Sequence, residues 1–192
     1  FWAVIRALLE NCKDVAAALD YLTGMPIAYN INLILMDKEG NGALYETLDG
    51  RTAAKRISPD TAEQFLCATN HAVLPELIPH EPEILIHSAK RYDFIQAQLN
   101  GKTGVTREQL KEMLLAKYPD GICCHYFEEF FGTTKSMILS PADGTIEICW
   151  GGRAENGWRT YSVGQPLESG MQTAEISLEK GTPDVFGYQP RA

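Results

Sequence analysis

The spacing of apolar residues at the start of the chain is typical of helices. Residues 1–9 repeat apolar side chains every three or four positions, which places them on one helical face. A second such stretch follows Asp14, a residue type that caps helix N-termini, and ends at Gly24, a common helix stop. The sequence therefore predicts two short helices, or one bent helix, over residues 1–23.

The period then changes to two, which is the spacing of β-strands. Residues 29–36 and 43–47 flank a polar Asp-Lys-Glu-Gly-Asn-Gly segment, and this pattern predicts a hairpin. The Gly40-Asn41-Gly42 part of the turn does not indicate a dinucleotide-binding loop, because the third glycine and the following helix are absent. Further strands are predicted at residues 51–58, 65–71, 122–127, 135–139, 145–150 and 158–163.

Two more helices are predicted between the early and the late strands. The first covers residues 83–99, and the second begins at Thr106, where a Thr-Arg-Glu-Gln capping box precedes an apolar stripe. Strand hairpins separated by a block of helices indicate an α+β fold with mostly antiparallel sheets. We expect one domain over residues 1–165 and a loosely ordered tail over residues 166–192.

Composition narrows the class of protein. A chain of 192 residues with 45% hydrophobic residues can bury the core of one ordinary domain. The net charge of −8 without a basic block argues against nucleic acid as a partner, and no apolar run approaches the ~20 residues of a membrane span. Five cysteines without a CxxC pair argue against a disulfide framework or a zinc site, and they favour a reducing, cytoplasmic location.

Candidate chemistry is concentrated at the end of the 65–71 stretch, where an apolar run ends in Thr69, Asn70 and His71. An asparagine offers a neutral NH2 donor that can be fixed in place before reaction. Such a donor suits the oxyanion that forms in acyl transfer. The alternative is purely structural, because asparagine and threonine end strands and cap helices in many proteins.

Three further motifs follow this tripeptide in a fixed order. They are the helical Ser88-Ala89-Lys90-Arg91, the strand Ile122-Cys123-Cys124-His125, and a late hairpin that ends in Trp150-Gly151-Gly152. In order and spacing these motifs resemble those of the acyl-CoA:6-aminopenicillanate acyltransferase family. They more distantly resemble those of the choloylglycine hydrolase and penicillin V acylase family. The resemblance covers about residues 1–165.

This resemblance implies an N-terminal-nucleophile (Ntn) hydrolase with a four-layer αββα sandwich of antiparallel sheets. Such enzymes are made as precursors and cut themselves, which exposes an N-terminal cysteine whose thiol attacks a linear, non-peptide C–N amide. The substrate would be a small-molecule amide with an apolar acyl part, and acyl-CoA is a candidate acyl donor. The reaction would need no metal and no organic cofactor.

The resemblance assigns roles to two residues of this chain, and two of their neighbours are candidates for substrate binding. Asn70 matches the family asparagine that donates to the oxyanion, and Arg91 matches an arginine that favours the thiolate and holds polar groups. Thr69 and His71 are expected to contact the substrate. The alternatives are a solvated helix-face role for Arg91 and a hydrogen-bonded structural role for His71.

The nucleophile itself is expected upstream of this sequence, because position 1 is phenylalanine and none of the five cysteines fits the role. The chain would then be the C-terminal part of the enzyme, with the upstream segment as its partner; a homo-oligomer is compatible with the sequence. One alternative is a non-catalytic fragment or ligand-binding domain. Another is a cysteine enzyme that uses Cys124 with His125, which strand geometry disfavours because adjacent side chains point to opposite faces.

Overall fold

The computed structural model describes residues 2–167 and 170–191. Its helices are α1 (Trp2–Asn11), α2 (Val15–Thr23), α3 (Ile86–Leu99) and α4 (Arg107–Leu115). Its strands are β1 (Ile31–Met36), β2 (Gly42–Leu48), β3 (Arg51–Ile57), β4 (Glu83–Leu85), β5 (His125–Tyr126), β6 (Phe131–Gly132), β7 (Lys135–Ser140), β8 (Thr145–Trp150), β9 (Arg159–Ser162) and β10 (Tyr188–Pro190). Phe1 of the predicted first helix and residues 168, 169 and 192 of the predicted tail lie outside the described residues.

The chain forms two compact units. One runs to Tyr92 and includes the residues from Tyr188 onward, and the other is Asp93–Gly187. Every pair of named strands in the described part of the chain is antiparallel. The combination of helices with antiparallel sheets confirms the predicted α+β class. No helix among the described residues has the length and apolar character needed to cross a membrane.

The first unit is built on a three-stranded sheet in the order β1-β2-β3. The predicted cap forms, since the Asp14 side chain accepts a hydrogen bond from the Ala17 amide at the start of α2. One face of the sheet carries the apolar alternates of β1 and β2 and packs against α1 and α2. The buried residues of this core are Leu8, Val15, Ala18, Leu19, Leu22, Ile31, Leu33, Ala43 and Tyr45.

The opposite face of the same sheet is polar at one cross-strand pair. Asn32 of β1 lies directly opposite Glu46 of β2, one residue out of phase with the apolar alternates. Because strand side chains alternate between faces, both polar groups point away from the helices. This pair is therefore available to bind a segment that passes over the sheet.

Three predicted elements differ in the structure. Residues 65–71 form no strand, because the final residues of this stretch bond to side chains rather than to a neighbouring strand. Residues 83–85 pair with Tyr188–Pro190 of the predicted tail, so the helix begins only at Ile86. The predicted strand at 122–127 shrinks to β5, because residues 127–129 form a 3-10 turn instead.

In the second unit, α4 packs near the sheet β7-β8-β9, and an ion cluster joins the two. Glu147 of β8 is buried and contacts two cations of α4, Arg107 and Lys111, the second with its Nζ 2.8 Å from Oε2. The two cations are four residues apart and so lie on one helix face. Hydrogen bonds from Lys111 and Arg107 lower the pKa of the Glu147 carboxyl.

We expect Glu147→Gln to lower the melting temperature at pH 7, because both cations lose their charged partner. A depressed folded-state pKa contributes stability above the unfolded-state value and loses it on acidification. The difference from wild type should therefore shrink as the pH falls below about 4.3. The matched control is Glu108→Gln, which removes an exposed partner of Lys111 and should leave the melting temperature nearly unchanged. A wild-type advantage that grew on acidification would contradict the assignment.

Candidate active site

The segment that ends in Thr69, Asn70 and His71 is fixed by the polar face of the first sheet. Nδ2 of Asn32 donates hydrogen bonds to the Thr69 carbonyl at 3.0 Å and to the His71 carbonyl at 2.8 Å. The side-chain amide of Asn32 therefore holds the carbonyl groups of the residues before and after Asn70. This arrangement fixes the backbone at Asn70 without a strand ladder.

Glu46 holds the residues that follow. Its carboxylate accepts hydrogen bonds from the Val73 amide at 3.0 Å and from the Leu74 amide at 2.9 Å, and the side chain is fully buried. Burial raises the pKa of the Glu46 carboxyl, although the two amide donors act in the opposite direction. Glu46 thus orients this loop.

Ala72 lies between these two attachments and is held by a third. Its amide donates to Oε2 of Glu81 at 2.7 Å, and its carbonyl accepts from Nη2 of Arg191. Arg191 also pairs with Glu81, with 3.1 Å between Nη1 and Oε2. The backbone from Thr69 to Leu74 is therefore bound by side chains from several separate parts of the first unit.

Asn70 is held by α3 at two points. Its backbone amide donates to Oγ of Ser88 at 2.7 Å, and its Oδ1 accepts from Nη2 of Arg91 at 2.5 Å. A guanidinium can only donate, so the amide oxygen must face Arg91. Nδ2 of Asn70 consequently points away from Arg91, and none of the described residues accepts a hydrogen bond from it. Asn70 is exposed, so the NH2 group is open to a ligand.

The other two predicted site residues also contact Ser88. Thr69 Oγ1 donates to the Ser88 carbonyl at 3.1 Å, and His71 Nδ1 lies 2.7 Å from Ser88 Oγ. His71 is buried and packs edge-on against Tyr92 with 5.5 Å between ring centroids. The structure brings all four predicted residues together, and it commits the Thr69 hydroxyl and the His71 Nδ1 to protein partners.

A cavity of about 350 Å³ opens beside this segment. It is lined by polar and apolar residues of β1, β2 and the neighbouring loops: Tyr29, Asn30, Ile31, Asn32, Thr47, Leu48, Thr69, Asn70, His71, Ala72 and Glu81. This volume lies at the lower end of the range for small-molecule sites. Asn70 contributes to its wall, so a ligand in the cavity can meet the open NH2 group.

Three cysteines of the chain have a raised thiol pKa, which is the opposite of what an activated nucleophile needs. Burial raises the pKa of the Cys67 thiol to about 11, against the opposing charge of Arg91. Burial also raises the pKa of Cys123 and of Cys149. A catalytic cysteine needs a depressed pKa, because the thiolate is the attacking species. These three thiols therefore remain protonated at neutral pH.

A second cluster of chemical groups lies in the other unit, and its cysteine and histidine are buried. Sγ of Cys123, rather than of Cys124, lies 3.4 Å from Nε2 of His125, and both residues are buried. Nε2 is also 3.2 Å from the Gly152 carbonyl, and Nδ1 is 3.4 Å from Glu179. Gly152 fits tightly here, since a Cβ at this position would lie 2.5 Å from the Cys123 sulfur. His125 thus satisfies buried partners.

Sequence reasoning assigned no role to two residues that build the site, Asn32 and Ser88, although Ser88 begins the helical motif that ends in Arg91. A usable signal existed for both. Asn32 interrupts an apolar strand in phase with Glu46 across the hairpin, and Ser88 precedes Arg91 by three residues, which places both on one helix face.

Comparison with known protein families identifies the family of the chain. The family model described as "Acyl-coenzyme A:6-aminopenicillanic acid acyl-transferase" matches residues 1–155. The chain belongs to this family, and the family is one of acyltransferases. No curated protein and no solved structure matches the chain.

Proposed function

We propose that the chain carries the oxyanion-stabilising part of an Ntn-type amidohydrolase or acyltransferase. The observation that carries this proposal is the oriented amide of Asn70. Arg91 takes the amide oxygen, the backbone is held on both sides, and the NH2 group is left exposed beside a cavity. A donor fixed in this way needs no reorganisation when negative charge develops on a substrate oxygen.

The attacking group in this proposal is the thiol of an N-terminal cysteine upstream of residue 1 in the same polypeptide. Its own α-amino group takes the thiol proton, and the sulfur attacks the amide carbonyl carbon. The carbonyl electron pair moves onto oxygen, where Nδ2 of Asn70 stabilises it. When the intermediate collapses, the C–N bond breaks, the amine leaves with a proton, and a thioester remains. Water or a second amine then accepts the acyl group.

Arg91 has two functions in this mechanism. Its bond to Oδ1 of Asn70 orients the amide, and its positive charge withdraws electron density from the carbonyl side of that amide, which makes the NH2 a better donor. Thr69 and His71 also line the cavity, next to Asn70. In this proposal they contact the substrate there. The four-layer αββα sandwich is part of this proposal and rests on membership of the family.

The proposed substrate is a linear, non-peptide amide with an apolar acyl part. The family description names an acyl-coenzyme A and 6-aminopenicillanic acid, so a thioester donor and an amine acceptor are candidate co-substrates. Since the mechanism is completed by a cysteine, an α-amino group and an amide donor, it requires no metal and no organic cofactor.

Intact mass and N-terminal sequencing of the protein made from its complete gene test the proposal. We expect a polypeptide that begins with cysteine and continues through Phe1 into this sequence. Replacing that cysteine with alanine should leave the precursor uncut. An active protein whose N-terminus is not cysteine would refute the assignment of an N-terminal cysteine nucleophile, and an inactive protein without the upstream cysteine would favour the ligand-binding alternative.

A further inference from the structure

Helix α3 holds Asn70 with two side chains that lie on one face. Ser88 and Arg91 are three residues apart, and Ser88 takes the backbone amide of Asn70 while Arg91 takes its side-chain oxygen. Arg91 fixes the rotation of the amide group. The bond to Ser88 fixes the backbone instead, because it holds the peptide group from which the Asn70 side chain extends.

Ser88 is well suited to this task because its hydroxyl is fully buried and saturated with partners. Oγ accepts from the Asn70 amide at 2.7 Å, lies 2.7 Å from His71 Nδ1 and 2.9 Å from Thr69 Oγ1. Thr69 gives its own proton to the Ser88 carbonyl. If His71 Nδ1 carries a proton toward Ser88, then Ser88 donates to Thr69 and every hydrogen in the group has an acceptor. With the opposite tautomer of His71, the Ser88 hydroxyl donates to Nδ1 instead, and the Asn70 amide still donates to Ser88 Oγ.

We propose that Ser88 is a positioning residue for the oxyanion donor, acting on the reaction through Asn70. This inference rests on the proposed function, because it needs Asn70 to stabilise the transition state. Loss of the hydroxyl lets the Asn70 peptide rotate and moves Nδ2 away from the developing oxyanion. Substrate binding in the ground state is affected much less, because Ser88 itself has no exposed surface.

A double-mutant cycle tests this inference on the processed enzyme from the complete gene, with a fatty-acyl p-nitroanilide as the probe substrate. Ser88→Ala should lower kcat by about 10–100-fold with little change in KM. In an Asn70→Ala background the same substitution should have almost no further effect, because no donor remains to be positioned. Equal losses of kcat in both backgrounds would show a merely structural role and overturn the inference.

The control is Ser136→Ala. Ser136 is another buried serine whose hydroxyl donates to a backbone carbonyl, that of Leu114 at 3.1 Å. It should leave kcat and KM unchanged. If Ser88→Ala does not fold, Thr69→Val removes a hydroxyl that bonds to Ser88 with a side chain of similar shape, and by loosening Ser88 it should lower kcat in the same direction and show the same dependence on Asn70.

Amide hydrogen exchange separates failure of this inference from failure of the proposed function. Ser88→Ala should raise the exchange rate of the Asn70 amide by at least about tenfold, while the amides of β2 keep theirs. Unchanged protection at Asn70 would overturn the positioning role whatever the activity. If exchange rises but Asn70→Ala leaves kcat intact, the oxyanion assignment fails, and with it the catalytic consequence proposed for Ser88.

Discussion

Asn70→Ala should lower kcat on a linear amide by about 10²–10³-fold, equivalent to about 2.7–4 kcal/mol of barrier. The reason is loss of the NH2 group of Asn70, a residue that lines the cavity and whose amide oxygen is held by Arg91. Because Asn70 is exposed, the substitution should cost the fold little, and the melting temperature should stay close to that of wild type. Steady-state kinetics and thermal unfolding on the same samples measure both quantities.

Asn70→Asp is the sharper companion to that experiment. Aspartate keeps the size of the side chain and pairs with Arg91 at least as well, but it has no N–H to donate. It should therefore be as inactive as alanine, even though the contact with Arg91 survives. Asn11→Ala, which removes an exposed amide bonded to the Ala7 carbonyl, serves as the control and should retain activity. Wild-type turnover in Asn70→Asp would remove the oxyanion role from this residue.

Glu46→Ala should be the most destabilising of the substitutions considered, at about 3 kcal/mol. It leaves the Val73 and Leu74 amides without their acceptor and opens a void in a fully buried position. Chemical denaturation of variant and wild type measures the difference in the free energy of unfolding. A loss below about 0.5 kcal/mol, the usual range for surface substitutions, would show that Glu46 does not hold the loop.

The pH dependence of stability due to Glu46 has the opposite sign to that due to Glu147, whose pKa is lowered. Burial raises its folded-state pKa, so the protein binds this proton more tightly than the unfolded chain does. Its contribution is complete below the unfolded value of about 4.3 and declines as the pH rises through the folded value. The stability of wild type relative to Glu46→Gln, which does not titrate, should therefore fall between pH 4 and pH 7. A rise over that interval would contradict the assignment.

Local signals in the sequence predicted much of the fold. The Asp14 cap, the hairpin at Asp37–Gly42 and the Thr106 capping box each depend on residues close in the chain, and each is present in the structure. The strands β7, β8 and β9 follow an alternation of period two and were likewise predictable. These elements are determined by interactions within a few residues.

The stretch before Asn70 shows why the remainder could not be predicted. An apolar run that ends in polar residues indicates a strand, but the hydrogen-bond partners of Thr69 and His71 come from Asn32, more than 35 residues away in sequence. A pattern within one stretch does not show whether its backbone will bond to a strand or to distant side chains. For the same reason the sequence identified Asn70 and Arg91 by family resemblance, while the role of Ser88 emerged only from the geometry of α3.

The reaction that we propose is acyl transfer through a covalent acyl-enzyme supported by Asn70. Mass spectrometry of the processed enzyme, rapidly quenched with a fatty-acyl p-nitroanilide, tests it most directly. We predict a mass increase equal to the acyl group, located on the peptide that begins with the N-terminal cysteine and removed by hydroxylamine. In Asn70→Ala the same adduct should form far more slowly. Cleavage of the amide without any adduct, or an adduct on one of the five cysteines of this sequence, would contradict the proposed mechanism.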